Sequence, residues 1–288
     1  MSTELKEWTV LSMLEWGTDF FKEKGIPNPR LSIEWLLAKV LQIKRLDLYL
    51  KFDRPLSRDE LDEIRPLVKR RAAHEPLQYI IGFSDFVNAR IEVNPNVLIP
   101  RIETEQLVEI ILEEQQELEE ASVLDIGTGS GCIPIALKME RPDWDLHALD
   151  ISDSALELAA KNATANSCTI SFLEGNILDP KSLHFDQPFD LIVSNPPYVL
   201  PEEKETLEKQ VIEHEPGLAL FCDDLEKMYR GIIDFSENNL KKSGHLYLEI
   251  HENYSDQIIS FFDDKNWSAE VLKDYENKPR FIVSEKLF

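Results

Sequence analysis

From residue 122 to residue 285 the apolar pattern switches back and forth between the two-residue period of a strand and the 3.6-residue period of a helix. The pattern predicts strands at 122–126, 145–149, 169–173, 189–194, 244–250, 268–273 and 279–285, and helices at 104–119, 131–139, 153–163, 224–240 and 254–263. Such alternation leads to an α/β fold with a parallel sheet, because parallel neighbours need a crossover and the crossover helices cover both faces. In open sheets of this kind ligands bind outside the carboxyl ends of the strands. Two strand ends in this chain carry chemistry.

The first is Val123-Leu124-Asp125-Ile126-Gly127-Thr128-Gly129-Ser130-Gly131, a strand, a glycine-rich turn and a helix start, followed by a strand ending at Asp150. Glycines let a backbone approach a ligand closely, and an acidic residue at the end of the second strand can accept both hydroxyls of a ribose. A dinucleotide fingerprint reads Gly-x-Gly-x-x-Gly and seats a pyrophosphate on the helix N-terminus. Here the spacing is Gly-x-Gly-x-Gly with Cys132 next. Asp125, just ahead of the turn, would repel a pyrophosphate but suits a cationic amino-acid group. S-adenosylmethionine, which has an ammonium and no phosphate, fits this pattern better than NAD.

The second is Asn195-Pro196-Pro197-Tyr198, at the end of the apolar run Phe189-Asp190-Leu191-Ile192-Val193-Ser194. Each proline fixes its own φ and restricts the residue before it, so the corner is stiff. Asn195 offers a side-chain carbonyl, and the Pro196 carbonyl is followed by a residue with no N–H. Two acceptors held beside the flat ring of Tyr198 suit a planar group carrying NH2, such as a carboxamide or the exocyclic amine of a base. A proline-rich turn would alone account for Asn-Pro-Pro. The glycine turn upstream, whose strand is expected beside this one, favours the functional reading.

The first 75 residues read as helices only. Leu5, Trp8, Leu11 and Leu14 repeat at helical spacing, then Ile33, Leu36, Leu37, Val40 and Leu41, then Leu61, Ile64, Leu67 and Val68. Ser57-Arg58-Asp59-Glu60 is a capping box for the third helix, in which Pro66 predicts a kink. Trp8, Trp16, Phe20 and Phe21 are expected in the core of this bundle. Gln78-Tyr79-Ile80-Ile81 and Ala89-Arg90-Ile91-Glu92-Val93 read as the strands of a hairpin linker.

With 31 basic against 54 acidic residues the formal charge is −23, a balance that repels phosphate backbones. Lys69-Arg70-Arg71, with Arg65 nearby, is a compact basic cluster and is expected to be the solvated face of a helix. Cys132, Cys168 and Cys222 form no Cys-x-x-Cys pair, and the histidines show no metal-ligand spacing, so no disulfide framework or metal site is expected. The polar start Ser2-Thr3-Glu4 is unlike a signal peptide, and no apolar run is long enough to span a membrane. A cytoplasmic protein is expected.

With Asp125 to Gly131, Asp150 and Asn195 to Tyr198 in place, the chain resembles the class I S-adenosylmethionine methyltransferases that modify planar nitrogens. It looks most like the release-factor glutamine N5-methyltransferases (PrmC/HemK family). The resemblance extends to Glu75-Pro76-Leu77-Gln78-Tyr79-Ile80-Ile81-Gly82, Val97-Leu98-Ile99-Pro100-Arg101, Glu103-Thr104-Glu105, Glu215-Pro216-Gly217-Leu218-Ala219-Leu220 and Leu248-Glu249-Ile250. It implies a helical bundle at 1–75 that docks substrate, a β-hairpin linker at 76–100 and a Rossmann-like, seven-stranded methyltransferase domain at 101–288.

By position, Gly127, Thr128, Gly129, Ser130 and Gly131, with Asp125, would hold the methionine part of the cofactor and Asp150 its ribose. Ile151, Asn176, Ile177 and Asn195 would complete the cofactor site. Asn195, Pro196, Pro197 and Tyr198 would hold the substrate glutamine, with Asn195, Pro196 and Tyr198 catalytic. The implied partner is a class I peptide chain release factor methylated within Gly-Gly-Gln, by a monomer without nucleic-acid binding. A ribosomal-protein glutamine or a nucleic-acid amine remains as an alternative acceptor. The chain departs from the family pattern at Ile102, where proline is usual, at Asn176, where aspartate is frequent, and at Phe221-Cys222-Asp223-Asp224, where glycines are common.

Overall fold

The computed structural model describes residues 8–263 and 265–287, except for the side chain at position 182; Leu5, expected in the first helix, lies outside the described residues. The chain forms two compact units, Met1–Gly82 with Glu208–His214, and Phe83–Leu207 with Glu215–Phe288. The helical unit thus extends past residue 75 and takes in a distant segment, while the hairpin belongs to the larger unit.

In the helical unit, α1 (Val10–Glu23) starts on a Thr9–Ser12 capping box and packs on α2 (Pro29–Leu41). The helices meet at Gly17, where an added side-chain carbon would lie 2.4 Å from Ile33 Cγ1. Ser57 and Glu60 cap α3 (Arg58–Ala72), which runs through Pro66 without interruption. Of the four aromatics expected in the core only Phe21 is fully buried. Trp16 is 41% exposed, stacks on Phe20 at 5.3 Å and meets Trp8 edge-on at 5.6 Å, so these rings shelter one another at the surface.

Two expectations for this unit are corrected. Gln78-Tyr79-Ile80-Ile81 is not a strand but most of α4 (Leu77–Ile81), which Gly82 ends at φ +93°. A short apolar run does not distinguish strand from buried helix, and the left-handed glycine makes a helix stop. Nor is the basic cluster one solvated face. Arg65 pairs with Asp62 and Arg70 with Glu75, whereas Arg71 is buried at 3% exposure and donates to Ser32 Oγ, the Glu75 carbonyl and Gln210 Oε1. Its bond to Gln210 ties the segment Glu208–His214 into this unit.

The larger unit begins with the hairpin β1 (Phe83–Phe86) and β2 (Ala89–Glu92). After α5 (Ile102–Glu114) the alternation starts: β3 (Ser122–Ile126), α6 (Cys132–Glu140), β4 (Asp145–Asp150), α7 (Asp153–Ala165), β5 (Ile170–Glu174) and β6 (Phe189–Ser194). The helix Leu225–Asn239 then leads into β7 (Leu240–Glu249), and β8 (Trp267–Lys273) and β9 (Pro279–Lys286) close the chain. The seven strands lie in the order β5-β4-β3-β6-β7-β9-β8, with β9 antiparallel to both neighbours and the rest parallel.

Every strand expected in the sheet is present within a few residues of its predicted bounds. The helix expected at 254–263 is broken into three short turns, Glu252–Tyr254, Ser255–Ile259 and Ser260–Phe262. Phe261 and Phe262, in the last of these turns, are both buried, at 4% and 3% exposure. Among the described residues no helix is long and apolar enough to cross a membrane.

Candidate active site

β3 and β6 are neighbours, with Ile126 level with Ser194, and the Ser194 hydroxyl donates to the Ile126 carbonyl at 2.7 Å. Gly127 and Asn195 therefore leave the sheet side by side, where the strand order reverses and an open sheet has its crevice. A cavity of about 440 Å³ opens there, lined by both motifs.

On one side the turn is built by backbone conformation. Gly127, Gly129 and Gly131 have φ of +76°, +54° and +78°, the left-handed region that side chains resist. At Gly127 and Gly129 an added carbon would meet nothing within 4 Å, whereas at Gly131 it would lie 3.0 Å from Ala159 Cβ on α7. The first two glycines thus face open space and the third lets helix and turn close up. The Gly127 and Thr128 N–H groups donate to the Leu149 carbonyl at 2.8 and 3.1 Å, anchoring the turn to β4. Asp150 accepts from Gly129 N–H at 2.8 Å through one oxygen and from Ser152 N–H at 2.9 Å through the other. Each oxygen keeps a lone pair for a further donor.

Asp125 is 1% exposed, and neither of its oxygens has a hydrogen-bond partner. The buried Thr128 hydroxyl lies beside it, outside good hydrogen-bond geometry, and favours its charged form. Burial, with the Asp150 charge adding to it, pushes the Asp125 carboxyl up to about 7. A buried carboxylate left unpaired is costly. Such a group suits a cationic ligand atom.

On the other side the corner is held by side chains. Asn195 Nδ2 donates to Thr104 Oγ1 at 3.0 Å, and the Thr104 hydroxyl donates to Glu249 Oε2 at 2.7 Å. The Tyr198 hydroxyl donates to Glu249 Oε1 at 3.2 Å, and the Tyr229 hydroxyl to the Glu249 main-chain carbonyl at 3.0 Å. Thr104 and Glu249 are buried, at 3% and 1% exposure, and burial pushes the Glu249 carboxyl up to about 7. Asn195 Oδ1 and the Pro196 carbonyl accept no hydrogen bond among the described residues. Below the corner, buried Glu215 accepts from Arg101 at 2.7 Å and from Ile99 N–H at 3.2 Å, tying two stretches of cavity wall together.

Gly127, Thr128, Gly129, Ser130, Asp150, Ile151, Asn176, Ile177, Asn195, Pro196 and Pro197, all singled out by sequence, line the cavity. Asp125, Gly131 and Tyr198 lie outside its lining. The Tyr198 ring packs edge-on against His251 at 5.8 Å, and its hydroxyl is taken by Glu249. Asn176 spends its carbonyl oxygen on the Leu178 N–H at 2.9 Å, which leaves its NH2 for a ligand. Sequence reasoning gave no role to Thr104, Glu249, Glu215 or Arg101. A glutamate inside the apolar strand Leu246-Tyr247-Leu248-Glu249-Ile250 was the available signal, since charged residues are rarely buried unless paired.

Residues 12–82 match the family model described as the PrmC N-terminal domain, and residues 102–217 the one described as the methyltransferase small domain. A methyltransferase from Pyrococcus furiosus shares the fold, with a TM-score of 0.51 at 15% identity over 69% of this chain and 90% of its own. A seven-stranded sheet of this order with a glycine turn at its crevice, taken with these matches, defines an S-adenosylmethionine-dependent methyltransferase.

A release factor glutamine methyltransferase of Leptospira interrogans is 39% identical over 280 residues, 96% of this chain and 97% of its own. One of Geobacter sulfurreducens is 39% identical over 264 residues, 91% of each chain. The chain belongs to the release factor glutamine methyltransferase family.

Proposed function

We propose that the protein transfers a methyl group from S-adenosylmethionine to the side-chain amide nitrogen of the glutamine in the Gly-Gly-Gln motif of class I peptide chain release factors, and so supports translation termination. The observation that carries this reading is the pair of unoccupied acceptors, Asn195 Oδ1 and the Pro196 carbonyl, on a rigid corner beside the glycine turn.

When bound, the cofactor supplies an electrophilic methyl on a sulfonium. In the proposed site Gly127 to Gly131 would admit its amino-acid part, Asp125 would meet its ammonium, Asp150 would meet the ribose, and Ile151, Asn176 and Ile177 would flank the rest. The orphaned Asp125 carboxylate and the open cradle at Gly127 and Gly129 support that fit.

A carboxamide nitrogen is a weak nucleophile because its lone pair is delocalised into the carbonyl. Two acceptors that each take one N–H fix the plane of the amide and stabilise positive charge growing on nitrogen. The proton is lost after the new N–C bond has formed, so the corner needs no general base. We assign Tyr198 to bracing this corner through Glu249 rather than to stacking on the substrate.

The proposed acting form is the monomer. The charge of −23, together with arginines already paired or buried, supports a protein rather than a nucleic-acid substrate. The proposed compartment is the cytoplasm, where that substrate works. Mass spectrometry of the Gly-Gly-Gln tryptic peptide of a release factor, after incubation with enzyme and cofactor, tests the reading. One methyl on the glutamine is expected; methyl transfer to RNA, DNA or a ribosomal protein instead overturns it.

A further inference from the structure

Asn195 can act as proposed only if its carbonyl oxygen, not its NH2, is presented to the substrate. The two ends of a carboxamide are nearly equal in size, so shape alone does not set which way it points. Hydrogen bonding sets it here.

We infer that Thr104 and Glu249 are positioning residues that fix the Asn195 amide with its oxygen towards the acceptor nitrogen, by using up the only hydroxyl proton of Thr104. The Thr104 hydroxyl has one proton, and a carboxylate can only accept. With Oγ1 at 2.7 Å from Glu249 Oε2, that proton is committed to Glu249. What Oγ1 then offers Asn195, at 3.0 Å, is a lone pair. Only the Nδ2 end can satisfy it, which turns Oδ1 to the other side. The Tyr198 hydroxyl on Glu249 Oε1 holds the carboxylate in register for this, and the Thr104–Glu249 contact is buried away from water that could supply substitute protons. The three contributing segments lie far apart in sequence, on α5, after β6 and at the end of β7. The inference rests on the role proposed for Asn195 and adds what orients it.

If Glu249 is protonated it can donate to Thr104, whose proton is then available to Asn195 in the opposite sense. The groups that face Glu249 are Tyr198, Tyr229 on the helix Leu225–Asn239, Arg280 on β9, Glu103 on α5 and Cys132 on α6, of which Arg280 alone is cationic. With the Glu249 carboxyl pushed up to about 7, orientation weakens as pH falls through that value. Asp125 titrates in the same range, but its protonation acts on cofactor binding and is suppressed at saturating cofactor.

The test is methylation kinetics on full-length enzyme and release factor. Thr104→Val, which keeps the shape and loses the hydroxyl, is expected to lower kcat about tenfold, the loss of one hydrogen bond, with cofactor affinity unchanged. Thr104→Ser restores most of that rate. In an Asn195→Ala background Thr104→Val has no further effect, because there is no amide left to orient. A Thr104→Val enzyme with unaltered kcat, or one that loses the same factor in both backgrounds, overturns the inference.

Should Thr104→Val fail to fold, Glu249→Gln carries the test: the decline of wild-type kcat below about pH 7 at saturating cofactor is expected to vanish in the variant. A decline of equal size in both enzymes contradicts it. Loss of activity in wild type on the release factor would instead strike the reading of the substrate.

Discussion

On the glycine-turn side of the cavity Asp125 is 1% exposed with neither oxygen hydrogen-bonded, whereas on the diproline side Glu249 is equally buried with both oxygens taken. Burial pushes both carboxyls up to about 7, so their environments are alike in dielectric and opposite in partners. The difference separates two ways of building a site. The half proposed to hold the cofactor is shaped by backbone, three left-handed glycines and a strand end, and keeps an unpaired carboxyl that on this proposal meets the ligand's cation. The half proposed to hold the substrate is shaped by side chains that satisfy one another and leave Asn195 Oδ1 and the Pro196 carbonyl without a hydrogen bond among the described residues. On this proposal one half is completed by binding and the other is complete beforehand.

The contrast is broken most severely at Asn195. Asn195→Ala is expected to lower methyl transfer by about 10²-fold or more, the scale for losing one preorganised polar partner, while calorimetry finds cofactor affinity little changed. A large loss of affinity with little loss of rate would put Asn195 in the cofactor half instead.

Asp125→Asn should do the reverse. Removal of the charge proposed to meet the ammonium is expected to weaken cofactor binding by about 1.5–3 kcal/mol, read by calorimetry, with smaller effects on turnover at saturation. Unchanged affinity would remove Asp125 from the site. Gly131→Ala sharpens the backbone side of the contrast. A left-handed φ and a clash with Ala159 are expected to cost about 1–2 kcal/mol in urea unfolding, and more if α7 is pushed off the turn.

A further effect concerns ligand-free stability. The Asp125 carboxyl is raised from 3.8 to about 7 on folding, so the folded protein holds a proton that the unfolded chain has lost. That contribution is full below the unfolded value and is lost as pH rises through about 7. Asp125→Asn is therefore expected to raise the melting temperature at pH 8 and to leave it nearly unchanged at pH 4, by about 2–4 °C for each kcal/mol of charge burial relieved. An equal shift at both pH values would show that the side chain matters through packing and not through its charge.

The two halves also differ in how far they could be read from residues alone. The glycine turn is local: the positions that need left-handed φ, the strand before them and the aspartate after them lie within one βαβ stretch, and periodicity placed each element to within a few residues. The diproline corner was equally plain as a rigid pair of acceptors. What holds it was not, because Thr104 and Glu249 come from elements 91 and 54 residues away from Asn195 and Glu249 lies 145 residues from Thr104. Tyr198 was read as a face for the substrate, since nothing near it in sequence reveals the carboxylate that takes its hydroxyl. The same limit explains the strand expected at 78–81. Its apolar run suits either period, and Gly82 decided between them by ending a helix.

The most direct test of the central claim is a crystal structure with S-adenosylhomocysteine and a peptide containing Gly-Gly-Gln. The account predicts the glutamine amide nitrogen about 2.7–3.2 Å from both Asn195 Oδ1 and the Pro196 carbonyl, the range of a good hydrogen bond, with its remaining face turned to the cofactor sulfur. A glutamine seated elsewhere, or one whose carbonyl oxygen rather than nitrogen lies at the corner, would contradict it.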